Sequence, residues 1–124
     1  MDLIRSQILD EIAQAVASRS HGPHDMFRRW FYFDTLDVYI RRNHRYINGA
    51  FVPCLVLASV EVKEPLRGQG HFSALLDGLA ALAQARGEVF IVENVFSEIV
   101  RGACVRREYI DVRGDRTNYA RPPT

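Results

Sequence analysis

The sequence has little lysine, few cysteines and no long apolar run, and each shortage excludes a class of protein. Lys63 is the only lysine among 16 basic residues, and 15 acidic residues leave a formal net charge of +1. A charge so close to zero creates no overall field that favours nucleic acid or an anionic membrane, so nucleic acid is not indicated as a partner. No apolar stretch approaches the roughly 18 residues that a membrane span requires, so no membrane association is expected.

The two cysteines, Cys54 and Cys104, both stand among apolar residues. We expect reduced thiols, which suit a cytoplasmic protein. The N-terminal residues lack the basic stretch and apolar run of a signal peptide. With 124 residues, 48% of them hydrophobic, the chain is predicted to form a single domain over 1–124 with its own core. His21 and His24 have no carboxylate or cysteine partner at ligand spacing, so no metal is expected.

The first half of the chain indicates one helix followed by strands. Apolar residues at positions 4, 8, 12 and 16 predict an amphipathic helix that ends near 18–20. The aromatic segment 26–33 is interpreted as core with an amphipathic rim, although such a mixture of aromatics and arginines can also stack nucleic-acid bases. Period-two alternation over 36–42 predicts a strand, Asn43-His44 a turn, and 45–47 a short return strand ended by Asn48-Gly49.

The second half alternates strands and helices. The nearly continuous apolar run 54–62 predicts a central strand that is covered on both faces. A helix is expected over 74–85 with Gly87 as its C-terminal cap, followed by a strand at 89–93 and a helix over 97–107. Two final strands are predicted at 109–112 and 117–121.

A glycine-flanked turn joins the central strand to the helix after it. Arg67-Gly68-Gln69-Gly70 lets the backbone turn tightly and approach a ligand without a Cβ in the way. The first amides of the following helix have no intrahelical partners and lie at the positive end of its dipole. The segment is therefore suited to hold a phosphate or pyrophosphate, although an ordinary strand-to-helix connection would look the same.

This part of the sequence resembles the GNAT superfamily of acetyl-CoA-dependent N-acyltransferases. The resemblance lies in the order of its elements: a strand, the glycine turn, a helix, a strand ending in Asn94, a helix and an aromatic residue. The resemblance covers about half of the chain, from Cys54 to Asp111, and is strongest from Val62 to Leu76. It implies an α/β (α+β) fold with a GNAT-like mixed central sheet, flanked by helices, whose two central parallel strands splay apart. It also implies acetyl-CoA as co-substrate.

The resemblance assigns site residues as well. The backbone at Val60 and Val62 would pair with the pantetheine or the acyl carbonyl, and Asn94 would orient the cofactor or the amine. The pyrophosphate would be held by the turn and the helix start, namely Arg67, Gly68, Gln69, Gly70, Phe72 and Ser73. Phe72 departs from the pattern, because a small residue is usual there.

Acyl transfer also needs groups that move protons. Cys104 occupies the position of a tyrosine that serves as the acid in many family members, and Glu108 replaces the usual glycine after it. A thiol can donate a proton, but a cysteine in an apolar helix stripe is more often simply packed. Glu61 alternates away from its valine neighbours and is the candidate general base. Glu93 and His71 are further candidates.

The resemblance implies an N-acetyltransferase that transfers an acetyl group from acetyl-CoA to a primary amine by direct attack in a ternary complex. The alternative is a non-catalytic GNAT-like module that binds acyl-CoA or a macromolecular partner. The acceptor, a small-molecule or macromolecular amine, is not identified by the sequence. A homodimer is expected, because the aromatic segment and the edge left by the final strands both need cover.

Overall fold

The computed structural model describes residues 3–17, 27–33, 36–47, 49–62, 71–95 and 97–121. They form three helices and six strands, in the order α1 (Leu3–Ala17), β1 (Phe27–Tyr32), β2 (Leu36–Ile47), β3 (Ala50–Val62), α2 (His71–Ala85), β4 (Val89–Val92), α3 (Glu98–Arg106), β5 (Ile110–Asp111) and β6 (Tyr119–Arg121).

All six strands belong to one mixed sheet with the order β1-β2-β3-β4-β6-β5. The strands β1, β2 and β3 are antiparallel neighbours, whereas β3 and β4 run parallel and are joined through α2. The strand β6 then pairs antiparallel with both β4 and β5. The α+β class and the parallel central pair that the sequence predicts are thus confirmed.

The three helices contribute to one core on a single face of the sheet, here called the helix face. Apolar side chains of α2 recur every three or four residues, so one stripe of the helix is buried. The strand β4 is buried along its whole length, as expected for a central parallel strand. The core draws on α1 through Ile8, Ile12 and Val16, and on α3 through Ala103 and Cys104.

The opposite face, here called the second face, carries a smaller apolar cluster to which no described helix contributes. Its buried members are Cys54, Val56, Ala58, Val89, Ile91 and Ala120, and the half-buried Tyr39, Ile47 and Val52 pack against them. Strand side chains alternate between the faces, so Leu55 and Leu57 contact the helix-face core while Cys54 and Val56 do not.

A β-bulge changes that alternation near the end of β3. Tyr39 pairs with Ser59 and Ile40 pairs with Leu57, which leaves Ala58 as an extra residue on β3. Val60 therefore packs against the helix-face core, although Ala58, two residues earlier, belongs to the second face. The bulge thus sets which side chains β3 presents at its C-terminal end.

The sequence prediction was wrong about β2. Asn43-His44 is not a turn, because β2 continues through both residues and pairs with β3 without interruption from Tyr46 down to Ile40. A turn residue follows at Gly49 instead, with a φ of 83°, and β3 begins at Ala50 rather than at Cys54. Of the polar residues in the middle of β2, Arg41 and Arg45 lie on the second face and pair with Glu93, whereas Arg42 is buried on the helix face and pairs with Glu88.

The aromatic segment is only partly core. It forms β1, with Phe27 and Phe31 buried against the helix face. Trp30 and Tyr32 alternate to the second face, where their side chains are 43% and 71% exposed. Trp30 stacks there on Tyr32 and on Tyr39, with ring centroids 5.9 Å and 4.9 Å away.

Candidate functional site

The two parallel strands separate at their carboxyl ends and leave a cleft between them. Their ladder ends where Leu57 faces Val92, after which the Glu93 amide donates to the Leu57 carbonyl over 3.0 Å. Beyond this point no described strand pairs with the β4 side of β3. The resulting interstrand cleft has a volume of about 430 Å³ and is lined by Leu57, Ala58, Ser59, Val60, Val92, Glu93, Asn94, Val95, Ser97 and Val100. Unpaired strand edges of this kind accept an added chain.

Two helices begin at the same edge of the sheet, because each follows a parallel strand. The helix α2 starts at His71 after β3, and α3 starts at Glu98 after β4. Ser97 caps α3, since its hydroxyl accepts from the amides of Ile99 and Val100 at 3.2 and 3.5 Å. Carboxyl ends of parallel strands together with helix N-termini are where open α/β sheets place their ligands.

Asn94 is the residue at which β4 turns away from β3. Its φ of 55° lies in the left-handed region, which asparagine adopts more readily than most residues. Its amide donates to the Asn118 side-chain oxygen at 3.4 Å, which connects the turn to the segment before β6. This conformation explains why the two strands part here.

A second cleft, here called the arginine cleft, lies on the second face and also has Glu93 and Asn94 in its wall. Its volume is about 410 Å³, and it is lined by Arg41, Arg45, Tyr46, Ile47, Ile91, Glu93, Asn94, Val112, Arg113 and Asn118. Two guanidinium groups reach from β2 across β3 to the Glu93 carboxylate, Arg41 at 3.0 Å and Arg45 at 2.5 Å. The two clefts therefore meet at Glu93 and Asn94.

The predicted site residues fall into three groups. Val60 and Asn94 line the interstrand cleft, and Val62 is the last residue of β3, two residues beyond Val60. Glu61 is exposed on the second face opposite Asp37, and it lines neither cleft. The glycine turn of Arg67, Gly68, Gln69 and Gly70 lies outside the described residues.

Phe72 and Ser73 form the first turn of α2. Both are half-buried, and Phe72 packs against the helix-face core. The ring that replaces the small residue of the family pattern is thus directed into the core.

Cys104 is fully buried in the helix-face core and does not line the interstrand cleft. Burial raises the pKa of its thiol to about 11, while the nearby Arg107 guanidinium opposes that shift. The thiol is therefore protonated at neutral pH.

The sequence reasoning missed the arginine pair of the second cleft. Arg41 and Arg45 share a face of β2 because they are four residues apart on one continuous strand. The predicted turn at Asn43-His44 divided that strand and so concealed their alignment. The sequence carries no alternation past Ile40, because 41–45 are all polar, so only the pairing with β3 shows that the strand continues.

Two further findings concern the described part of the chain. None of its helices is both long enough and apolar enough to cross a membrane. Nor do three or more His, Cys, Asp or Glu side chains in these segments come together in a group that could hold a metal ion.

Comparisons with known proteins identify the fold. No protein-family model and no curated sequence matches the chain. Among solved structures, it is similar to a chain of the KacTA–DNA complex, with a TM-score of 0.55 and 15% identity over 94% of this chain and 80% of that one. It is also similar to a structure of the AtaT Y144F mutant toxin, bound to the C-terminus of the antitoxin AtaR and acetyl-CoA. There the TM-score is 0.52 and the identity 14%, over 80% of this chain and 94% of that one. The likeness shows the shared GNAT-like fold.

Proposed function

We propose that this protein is an acyl-CoA-dependent N-acyltransferase that transfers an acetyl group from acetyl-CoA to a primary amine. The observation that carries the proposal is the interstrand cleft, where β3 and β4 part beside the starts of two helices. A neighbour of the same fold binds acetyl-CoA.

The free edge of β3 suits the arm of the co-substrate. From Ala58 to Val62 no described strand occupies the β4 side of β3, so backbone groups there are available to an extended amide-containing chain. Val60, Val92 and Val100 present an apolar wall to the same space. The turn at 67–70 and the first turn of α2 would hold the phosphates.

Acetyl-CoA, when bound, supplies the thioester: the acceptor nitrogen bonds to its carbonyl carbon, the carbon–sulfur bond breaks, and the thiol leaves as the amine loses a proton. Backbone amides at the end of β3 would polarise the carbonyl. Asn94 would orient the amine, since it lies in the walls of both clefts. Glu61 as base and Cys104 as acid stay predictions.

A specific observation supports the non-catalytic alternative. Cys104 is completely buried and does not line the interstrand cleft, so its thiol is not placed to protonate a leaving group there. If Cys104 is only packed, Cys104→Ser and Cys104→Ala lower turnover by similar small amounts. A much larger loss in Cys104→Ala than in Cys104→Ser would instead assign it the acid role.

The decisive test is acetyl-CoA binding measured by isothermal titration calorimetry. Val100→Trp places a large ring in the interstrand cleft and is expected to weaken binding by about tenfold or more, because steric overlap removes the space for the arm. Val105→Trp is the matched control, since Val105 is exposed on the same helix and lines no described cleft. Thermal unfolding followed by circular dichroism verifies that both variants fold.

The catalytic claim requires a second measurement. Release of the CoA thiol in the presence of amines, followed with a thiol reagent, separates an enzyme from a binding module. Failure of acetyl-CoA to bind, or equal affinity in the wild type and a folded Val100→Trp variant, would reject the assignment of the cleft. In the glycine turn at 67–70, Gly70→Val is likewise expected to weaken acetyl-CoA binding about tenfold, because the added Cβ would meet the phosphates.

A further inference from the structure

The arginine cleft carries more positive charge than its own carboxylate neutralises. Its lining contains three arginines, Arg41, Arg45 and Arg113, and one acidic residue, Glu93, so three charges minus one leave a formal +2. Because Arg113 lies in the exposed segment between β5 and β6, its side chain can reach a ligand from the side opposite to Arg41 and Arg45.

Arg41 and Arg45 are fixed in position before any ligand arrives. On β3, Arg41 lies opposite the fully buried Val56, and Arg45 lies opposite the half-buried Val52. Glu93 bonds one nitrogen of each guanidinium, and the Asn43 side-chain oxygen accepts from Arg45 Nε at 3.2 Å. Each guanidinium has five N–H donors, so donors remain for a ligand.

A similar group on the helix face has a different role. Glu88 is also bonded by two arginines, but one of them, Arg42, is only 3% exposed and donates in addition to the Val16 carbonyl at 3.2 Å. The Arg42–Glu88 pair is buried and connects α1 to the sheet. Arg41 and Arg45, in contrast, are 39% and 29% exposed and border an open cleft.

We propose that the arginine cleft binds an anionic group, a carboxylate or a phosphate, on the acceptor amine. The inference rests on the proposed function and extends it to the class of acceptor. An acceptor anchored there can extend its amine toward Glu93 and Asn94, where the arginine cleft meets the interstrand cleft. Planar guanidinium groups match both kinds of anion through paired hydrogen bonds.

The test uses three small amines as probes: phosphoethanolamine, β-alanine, and ethanolamine, which carries no anionic group. Each is titrated calorimetrically into the protein saturated with CoA, so that the interstrand cleft is already occupied. At least one anionic probe is expected to bind about tenfold or more tightly than ethanolamine, roughly the gain from one charge-assisted hydrogen bond. The order of phosphoethanolamine and β-alanine shows which anion is preferred.

Variants locate the binding. Arg113→Gln is expected to weaken the anionic probe about tenfold, and it breaks no hydrogen bond within the described fold. Arg45→Lys keeps the positive charge but loses the planar guanidinium group. The affinity of this variant for the anionic probe is therefore expected to lie between those of the wild type and Arg113→Gln. Arg106→Gln makes the same charge change on the exposed side of α3, outside the lining of the arginine cleft, and leaves binding unchanged.

The outcomes separate this inference from the proposed function. If ethanolamine binds as well as the anionic probes, if no probe binds, or if Arg106→Gln and Arg113→Gln have equal effects, the anion site is rejected while acetyl-CoA binding is untouched. If CoA itself does not bind, the proposed function fails, and the same titrations without CoA still decide whether the cleft takes an anion.

Discussion

Glu108 occupies a backbone position at which glycine is normally found. Its φ is 59°, and it follows α3 in a cap where its amide donates to the Val105 carbonyl and that of Tyr109 donates to the Cys104 carbonyl. The helix α2 ends with the same pair of bonds, but there the equivalent residue is Gly87, with a φ of 70°. The protein thus contains two copies of the same helix cap, with glutamate at the left-handed position in one and glycine in the other.

Glu108→Gly is expected to stabilise the protein. Relief of the left-handed strain contributes about 1–2 kcal/mol, and the extra freedom of glycine in the unfolded chain removes about 0.5–1 kcal/mol. The net gain in the free energy of unfolding is therefore on the order of 0.5–1 kcal/mol, measured by urea denaturation. Glu108→Gln, which removes the charge but keeps the Cβ, is the control and should stay near wild type. Equal gains in both variants would attribute the effect to charge.

At the residue scale, the sequence predicted which residues lie near the site better than it predicted what each of them does. Asn94 was predicted to end a strand at the site. The strand β4 ends two residues earlier, at Val92, and Asn94 forms the left-handed turn that follows, a conformation that asparagine tolerates. Glu61 was expected to face the cleft through simple alternation from Val60. The structure shows it on the exposed second face instead, and the positions of Arg41 and Arg45 depend on the true length of β2.

At the element scale, a buried ion cluster connects α1 to β2 and to the end of α2. Arg42 on β2 pairs with Glu88 at 2.8 Å and bonds the last turn of α1 through the Val16 carbonyl. Arg86 approaches the other oxygen of Glu88 at 3.1 Å. Because the pair is cut off from water, each charge depends on its partner.

Glu88→Gln is expected to lower the free energy of unfolding by about 3–5 kcal/mol, since it leaves the buried Arg42 cation uncompensated. The matched control is Glu98→Gln, which removes the partner of Arg101 in an exposed pair on α3 and should cost less than about 1 kcal/mol. Chemical denaturation of both variants measures the difference. Similar losses in the two would show that the cluster around Glu88 is solvated.

Elements with strong periodicity were predictable and irregular ones were not. The apolar stripe of α2, its glycine cap and the apolar strand β4 each follow from local chemistry, and all three were predicted. The bulge at Ala58 has no local signal, because it depends on how β3 pairs with β2. Its effect on which residues face the cleft could therefore not be derived from the sequence.

At the scale of the whole molecule, the two faces of the sheet are covered unequally. The described helices all pack on the helix face, while the second face carries exposed aromatic rings on β1 and the open arginine cleft. Among the described strands, the edges of the sheet are β1 and the two-residue β5. The longer edge strand, β1, thus also carries the exposed rings of Trp30 and Tyr32. An unpaired strand edge and exposed aromatic rings both favour contact with another protein surface.

We therefore expect a homodimer formed through β1 and its exposed aromatic rings. Light scattering at micromolar concentration should give twice the chain mass of 14.2 kDa. A Trp30→Glu/Tyr32→Glu variant should shift the protein toward the single-chain mass, because the interface would bury like charges from both copies near its two-fold axis. Ile99→Glu, a similar change at an exposed apolar residue of α3, should leave the mass unchanged. A wild-type mass of one chain that stays constant on concentration would show that β1 and its aromatic rings remain exposed in a monomer.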